Sequence, residues 1–146
     1  MSIVSLFNSG PTGVLDEYEL LFENPDANVP NMNYTAVFSI SRIPEVYLHM
    51  LCIEYITDEN GTVKTAYIPT NLLEDEYRLS IGAEPITHQP AYRNVTLQSV
   101  TSNDDDSRTY TLYFSNRYYS STTDGHALSV MSSQITGNPY RIYGIR

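Results

Sequence analysis

Two turn dipeptides, each set between runs of β-branched and aromatic residues, place the strongest constraint on how this chain can fold. Asn60-Gly61 separates "CIEYITDE" from "TVKTAYI", and Asp124-Gly125 separates "RYYSSTT" from "HALSVMSS". Both dipeptides accept the positive φ angles that tight hairpin turns require. The sequence therefore predicts an antiparallel hairpin around each of them.

The remaining apolar patterns also favour strands. In "RTYTLYF" the residues Tyr110, Leu112 and Phe114 share one face, and the polar loop "TSNDDDS" joins this run to "NVTLQSV" as a third hairpin. The segments "VLDEYELLFE" and "LLEDEYRLSI" fit a helix or a strand, but their common pattern Tyr-x-Leu-x-apolar has the period of a strand. We expect an all-β fold, an antiparallel sandwich or jelly-roll-like barrel of about eight to ten strands.

The length of 146 residues fits one domain spanning residues 1–146. Within it, Asp-Glu-Tyr-x-Leu occurs at Asp16 and again at Asp75, and three further landmarks follow in the same order. This order predicts a tandem duplication. Residues 13–68 and 72–131 would then form two similar halves related by an approximate two-fold axis.

Charge and composition bear on the partners. A net charge of −9 repels nucleic acid phosphates and anionic membranes, so we expect neither as a partner. No apolar run reaches the length of a transmembrane helix, and "MSIVSLFNSG" lacks the basic start of a signal peptide. Lys64 is the single lysine among eight basic residues, beside 13 tyrosines. Few lysines with many tyrosines and arginines are typical of the cores of protein–protein interfaces.

No motif indicates catalysis, and we expect no cofactor and no metal that folding requires. The run Asp104–Asp106 lacks the alternating spacing of a calcium loop, so a solvated hairpin loop is the simpler interpretation. Cys52 stands alone in an apolar run, which predicts a buried and unreactive thiol. The histidines His49, His88 and His126 are too scattered to form a zinc pair on one element.

The tyrosines and arginines near the C-terminus form the candidate partner interface. Neighbouring side chains of a strand point to opposite faces, so Tyr118 and Tyr119 cannot both fill one core. With a two-residue turn at Asp124-Gly125, Tyr119 lies opposite Val130 and Tyr118 opposite Met131. The tail "NPYRIYGIR" predicts either an intermolecular contact strand or the closing strand of the domain's own sheet. The tail contributes four candidate contact residues: Tyr140, Arg141, Tyr143 and Arg146.

These patterns favour a non-enzymatic structural protein, a multi-copy β-sandwich subunit whose partners are protein subunits of the same assembly, as in a homo-oligomer. A virion or phage particle is the setting that the composition favours, and a soluble, cytoplasmic location is the other. One alternative is a carbohydrate-binding module that stacks exposed tyrosines on sugars. A further alternative is an acidic inhibitor that imitates nucleic acid, which the charge of −9 suggests.

Overall fold

The protein is an antiparallel β-sandwich in which two sheets pack face to face. The computed structural model describes residues 18–29, 33–57, 61–74, 76–86, 89–121, 128–131 and 137–146. Two short 3-10 turns, Pro44–Val46 and Thr70–Leu72, are the helical segments of this described part. The expected all-β sandwich is confirmed, and the barrel alternative is wrong because the two sheets do not close on each other.

Nine strands make up the described structure. They are β1 Tyr18–Glu23, β2 Tyr34–Ser41, β3 Met50–Ile56, β4 Val63–Pro69, β5 Arg78–Ile86, β6 Gln89–Ser102, β7 Ser107–Ser121, β8 Leu128–Met131 and β9 Pro139–Ile145.

The first sheet has the strand order β1-β9-β3-β4, and the second has the order β2-β7-β6-β5. The short strand β8 pairs with the second half of β7, beyond the part of β7 that pairs with β2. The last strand therefore lies between β1 and β3 in the middle of the first sheet. Because β1 pairs with β9 and β2 with β7, the two ends of the chain are nested together as in a jelly roll.

The core lies between the inner faces of the two sheets. Strands β3 and β9 contribute Leu51, Ile53 and Ile142, and the second sheet contributes Phe38 and Leu112 among others. All five are at most 4% exposed. Each such side chain stabilises the fold by about 1.5–3 kcal/mol through its burial. The alternation of buried and exposed residues along β2 shows the period of two that places one face of that strand in this core.

The three predicted hairpins are present. Strands β3 and β4 pair from Met50–Pro69 to Ile56–Val63, and Gly61 has the positive φ expected of its turn. Strands β6 and β7 flank the acidic loop. In the third hairpin the turn at residues 124–125 lies outside the described residues. Its register is nevertheless confirmed, because Tyr119 pairs with Val130 and Tyr118 with Met131.

The prediction of two similar halves is wrong in its strand order. In the second range, β5, β6, β7 and β8 pair in sequence within one sheet. In the first range, β1, β3 and β4 belong to one sheet whereas β2 belongs to the other. The Asp-Glu-Tyr-x-Leu match has a local cause instead: in both places Tyr-x-Leu-x-apolar introduces a strand, β1 or β5.

A bulge corrects the predicted alternation in β1. The register shifts between Leu20 and Phe22, so that Leu20 pairs with Tyr143 while Phe22 pairs with Ile142. Leu21 and Phe22 both pack against the core, and Leu20 points to the opposite, outer face. An extra residue of this kind reverses the faces that follow it, which sequence alternation cannot reveal.

Gly144 allows a close approach between β9 and the segment that leads into β3. A Cβ at this position would overlap Leu48 Cδ1 and lie 3.0 Å from Leu48 Cγ and 3.2 Å from Leu21 Cδ1. Leu48 is 2% exposed and so has little room to retreat. Glycine at this position is therefore a packing requirement.

We predict that Gly144→Ala lowers the free energy of unfolding by about 1–3 kcal/mol, because it overpacks the core. Gly82→Ala is the matched control, since a Cβ on this β5 glycine would meet nothing within 4 Å. Its effect is expected to be neutral or slightly stabilising. Urea unfolding of the two variants beside the wild type measures the difference. Equal stability of both variants would show that the contact with Leu48 does not constrain position 144.

Candidate partner interface

A row of four side chains crosses the outer face of the first sheet. Leu20 pairs with Tyr143, Tyr143 pairs with Cys52, and Cys52 pairs with Tyr67, so all four point away from the core. We call these four residues the outer row. Its two ends are exposed, Leu20 by 48% and Tyr67 by 61%, whereas Tyr143 and Cys52 in its centre are 5% and 0% exposed. Direct cross-strand neighbours of this kind lie in side-chain contact.

A second set of apolar residues lies beside the outer row. Tyr18 pairs with Ile145 and Ile145 pairs with Met50, and all three are half-buried. Because these residues are next-but-one neighbours of the outer row along their strands, they share its face. The outer face of the first sheet thus carries an apolar and aromatic surface that is exposed at the two ends of the outer row and buried at its centre. The exposed ends are the part of this surface that a partner can contact.

Cys52 is a structural thiol in this surface. It is a free cysteine and fully buried. Burial raises the pKa of the Cys52 thiol to about 11, and the nearby Glu54 carboxylate acts in the same direction. Because the thiolate is the nucleophilic form, the thiol is unreactive at neutral pH. The prediction that Cys52 is buried is confirmed, and its raised pKa agrees with the expected low reactivity.

A charged row rims the apolar surface on one side. Arg141 pairs in register with Glu23 on β1 and with Glu54 on β3. Its Nε lies 3.8 Å from Glu23 Oε1, an ion-pair distance too long for a hydrogen bond. Arg141 Nη1 donates a hydrogen bond of 3.4 Å to the Tyr143 hydroxyl. The Arg141 guanidinium thus links the charged row to the outer row.

Two charged groups of this rim are incompletely satisfied. Within the part of the chain that the structure describes, Glu54 Oε1 and Arg141 Nε are both buried and have no hydrogen-bond partner. Burial raises the pKa of the Glu54 carboxyl, and Arg141 opposes this rise. A buried carboxylate oxygen without a donor is costly.

The four predicted tail residues occupy different environments. Tyr140 lies at a bulge between β9 and β3, half-buried, with the Arg141 guanidinium carbon 4.6 Å from its ring centroid. This distance is that of a cation–π contact. Arg146 follows the end of β9 and is exposed. Tyr143 is buried, so little of its side chain is accessible to a partner.

The hypothesis that the tail adds its backbone to the sheet of a neighbour is wrong. Strand β9 pairs with β1 on one side and with β3 on the other, which uses both of its edges within the domain. The alternative expectation, a closing strand of the domain's own sheet, is correct. Tyr118 and Tyr119 lie on β7 of the second sheet, whereas the tail forms β9 of the first. The placement of their side chains lies outside what the structure describes.

The acidic loop is a hairpin turn whose polar groups bind one another. Asp105 Oδ1 accepts a hydrogen bond from Ser107 Oγ, and Asn103 Nδ2 donates to Ser107 Oγ at 3.0 Å. Asp106 has a φ of 59°, the left-handed conformation that such turns use. The interpretation of the acidic run as a hairpin loop is therefore confirmed.

The other candidate metal-binding side chains do not lie close together in the described structure. Within the described ranges, no three His, Cys, Asp or Glu side chains come together as a metal site. His49 is exposed and precedes β3, and His88 and His126 lie outside the described residues. None of the helical turns that the structure describes has the length and apolar character needed to cross a membrane.

Sequence reasoning missed Leu20 and Tyr67, the exposed ends of the outer row. The exposure of Leu20 could not be predicted, because the bulge at Leu21 is invisible in the sequence. Tyr67 belongs to "TVKTAYI", where no pattern shows which side of β4 faces a core. The detectable signal was the general excess of tyrosine, which predicted exposed aromatic residues without locating them.

Comparison of the chain with protein-family models, with curated proteins and with solved structures gave no match.

We predict that Glu54→Gln raises the free energy of unfolding at pH 7 by less than about 1 kcal/mol, since the residue as a whole is only half-buried. A carboxyl whose pKa is raised in the folded state contributes stability below its unfolded pKa, near 4.5, and loses it as the pH rises. Glutamine does not titrate and avoids that loss. The gain should therefore disappear at pH 4.

Urea unfolding at pH 4 and pH 7 measures this difference, with Glu23→Gln as the control. Glu23 is 56% exposed, so its replacement should change stability by no more than about 0.5 kcal/mol. A loss of stability at pH 7 in Glu54→Gln would mean that the ionised carboxylate stabilises the sheet through Arg141.

Proposed function

We propose that this protein is a non-enzymatic subunit of a larger protein assembly and that it contacts a second copy of itself through the outer face of the first sheet. The outer row carries the proposal. Its ends, Leu20 and Tyr67, are the exposed margins of a surface whose centre is apolar and buried. A partner that covers both ends removes two large apolar side chains from water, which favours association by roughly 25 cal/mol for each Å² buried.

The arrangement is self-complementary, which is what a symmetric contact between two copies requires. A two-fold axis through the centre of the outer row places Leu20 of one copy against Tyr67 of the other. The charged row alternates acidic and basic groups as Glu23, Arg141 and Glu54. The same axis offers each Arg141 a second carboxylate.

The net charge predicts how the association of two copies depends on ionic strength. Two copies with −9 each repel one another at long range, and salt screens that repulsion. We therefore expect the association to strengthen when the ionic strength rises from 20 mM to 200 mM. An interface held mainly by surface ion pairs would weaken instead.

We further propose that the larger assembly is a virion or a comparable particle. A small chain with few lysines, many tyrosines and an apolar outer face suits a multi-copy component of a virion or a comparable particle. The composition supports this setting. The tail residues Tyr140, Arg141 and Arg146 lie near the two ends of β9 in the same sheet, where further subunits could contact them.

We predict that the double variant Leu20→Ser, Tyr67→Ser shifts the purified protein to a monomer under conditions in which the wild type is an oligomer. Multi-angle light scattering after size-exclusion chromatography measures the mass at low and high salt. Each substitution replaces a residue that is at least 48% exposed, so the fold should persist. Circular dichroism verifies that it does.

Val37→Ser is the matched control, because Val37 is 53% exposed on β2 of the second sheet. It should leave the oligomer intact. A wild-type protein that stays monomeric at high concentration in 200 mM salt contradicts the proposed contact between copies. An equal loss of mass in the Val37 variant would place the contact on another face.

A further inference from the structure

A cavity of about 350 Å³ opens at one end of the sandwich, away from the outer row. Arg42, just beyond β2, and His49, just before β3, contribute to its walls, as do Arg108 and Tyr110 near the start of β7. Its volume lies at the lower end of the range of small-molecule sites.

The fold positions the two arginines from different elements. Arg108 pairs in register with Ile40, a residue 2% exposed on the core side of β2, so Arg108 faces inward at the end of the sandwich. The Arg42 amide donates a hydrogen bond of 2.8 Å to Asp106 O, which ties the segment after β2 to the turn before β7. The two guanidinium groups therefore approach one cavity from adjacent strands.

Both guanidinium groups act on the same phenol. Burial raises the pKa of the Tyr110 hydroxyl, while Arg108, by charge and by hydrogen bonding, and Arg42, by charge, pull it down. Tyr110 is 5% exposed and forms part of the cavity wall. Positive charge from two residues is thus concentrated around one buried ring.

This positive charge is not neutralised locally. No carboxylate side chain of the described residues lines the cavity, and in that same part of the chain neither Arg42 nor Arg108 forms an ion pair. Glu45 directly follows the cavity residue Pro44 in sequence, but it is exposed and does not line the cavity. Asp106, in the acidic loop, meets Arg42 through its backbone carbonyl. The chain has a net charge of −9, but this cavity is lined by two arginines and a histidine. The charge at the cavity is therefore opposite in sign to that of the whole chain.

An aromatic wall completes the cavity. The Tyr47 and His49 rings meet edge to face with centroids 4.9 Å apart. The Tyr47 hydroxyl accepts a hydrogen bond of 3.1 Å from Thr70 Oγ1, which fixes the orientation of the ring. Rigid aromatic walls suit the C–H faces of a small ring, and guanidinium groups suit an oxyanion.

We propose that this cavity is a binding site for a small ring-sized organic acid whose carboxylate or phosphate group is held between Arg42 and Arg108. The guanidinium forks donate hydrogen bonds to the oxyanion, and the Tyr47 and Tyr110 rings contact the body of the ligand. The proposal is independent of contacts made by the outer row.

Calorimetric titration at fixed ionic strength tests the site with three matched probes: glucuronate, glucose 6-phosphate and neutral glucose. We expect one or both acids to bind and glucose not to bind. Glucuronate alone would identify a carboxylate site, and glucose 6-phosphate alone a phosphate site. If neither acid binds, or if glucose binds equally well, the proposal is overturned.

Arg42→Gln and Arg108→Gln are each expected to weaken binding of the acid by at least about tenfold, the typical contribution of a charge-assisted hydrogen bond. Arg78→Gln removes the same charge from an exposed site on β5 and should leave binding unchanged. If Arg78→Gln weakened binding equally, the loss of affinity would come from the change in net charge alone, and the proposed site would be overturned. Arg42 is exposed, so Arg42→Gln tests the proposal even if Arg108→Gln fails to fold.

Discussion

The fold depends on the insertion of the last strand between β1 and β3. The amide of Asn24, just after β1, donates to Tyr140 O at 2.9 Å, and the amide of His49 donates to Ile145 O at 2.7 Å. Without β9, the first sheet would separate into the single strand β1 and the β3–β4 hairpin. An isolated hairpin is marginally stable in water. The C-terminal strand therefore holds the first sheet together.

Buried amide side chains anchor the start of this strand. Asn138 is fully buried, and its Nδ2 donates to Ala27 O at 2.8 Å and to Val29 O at 3.0 Å. Asn24 Nδ2 donates to Pro139 O at 2.8 Å. These bonds satisfy carbonyl groups that would otherwise be costly to bury. They join the segment after β1 to the start of β9, a contact between parts of the chain more than 100 residues apart.

Local patterns predicted the strands and their hairpins, since turn dipeptides and alternation act over a few residues. They could not predict how β9 pairs, because a nonlocal pairing leaves no local signal. Nor could they predict Arg93, which is fully buried on β6 opposite the core residue Ile81. Its guanidinium carbon lies 6.0 Å from the centroid of the Tyr34 ring, and burial lowers the Arg93 pKa to about 10. The neighbours that accommodate this charge come together only in the tertiary structure.

Both proposed sites, the outer row and the basic cavity, form through nonlocal strand pairing, so local sequence patterns could not locate them. Tyrosine excess indicated an interface, but the outer row exists because the register places Leu20, Tyr143, Cys52 and Tyr67 side by side. The basic cavity was not predicted, because Arg42 and Arg108 are distant in sequence and meet only when β2 pairs with β7. A sandwich face and a sandwich end are separate places, so one small domain can associate with copies of itself and hold a small acid.

Removal of residues 138–146 by truncation after Gly137 tests the central role of β9 most directly. We predict that the shortened chain loses its cooperative urea transition and its near-ultraviolet circular dichroism, because β1 and β3 lose their common partner. A shortened chain that keeps a cooperative transition and a native-like spectrum would contradict it, and would place the tail outside the structural core.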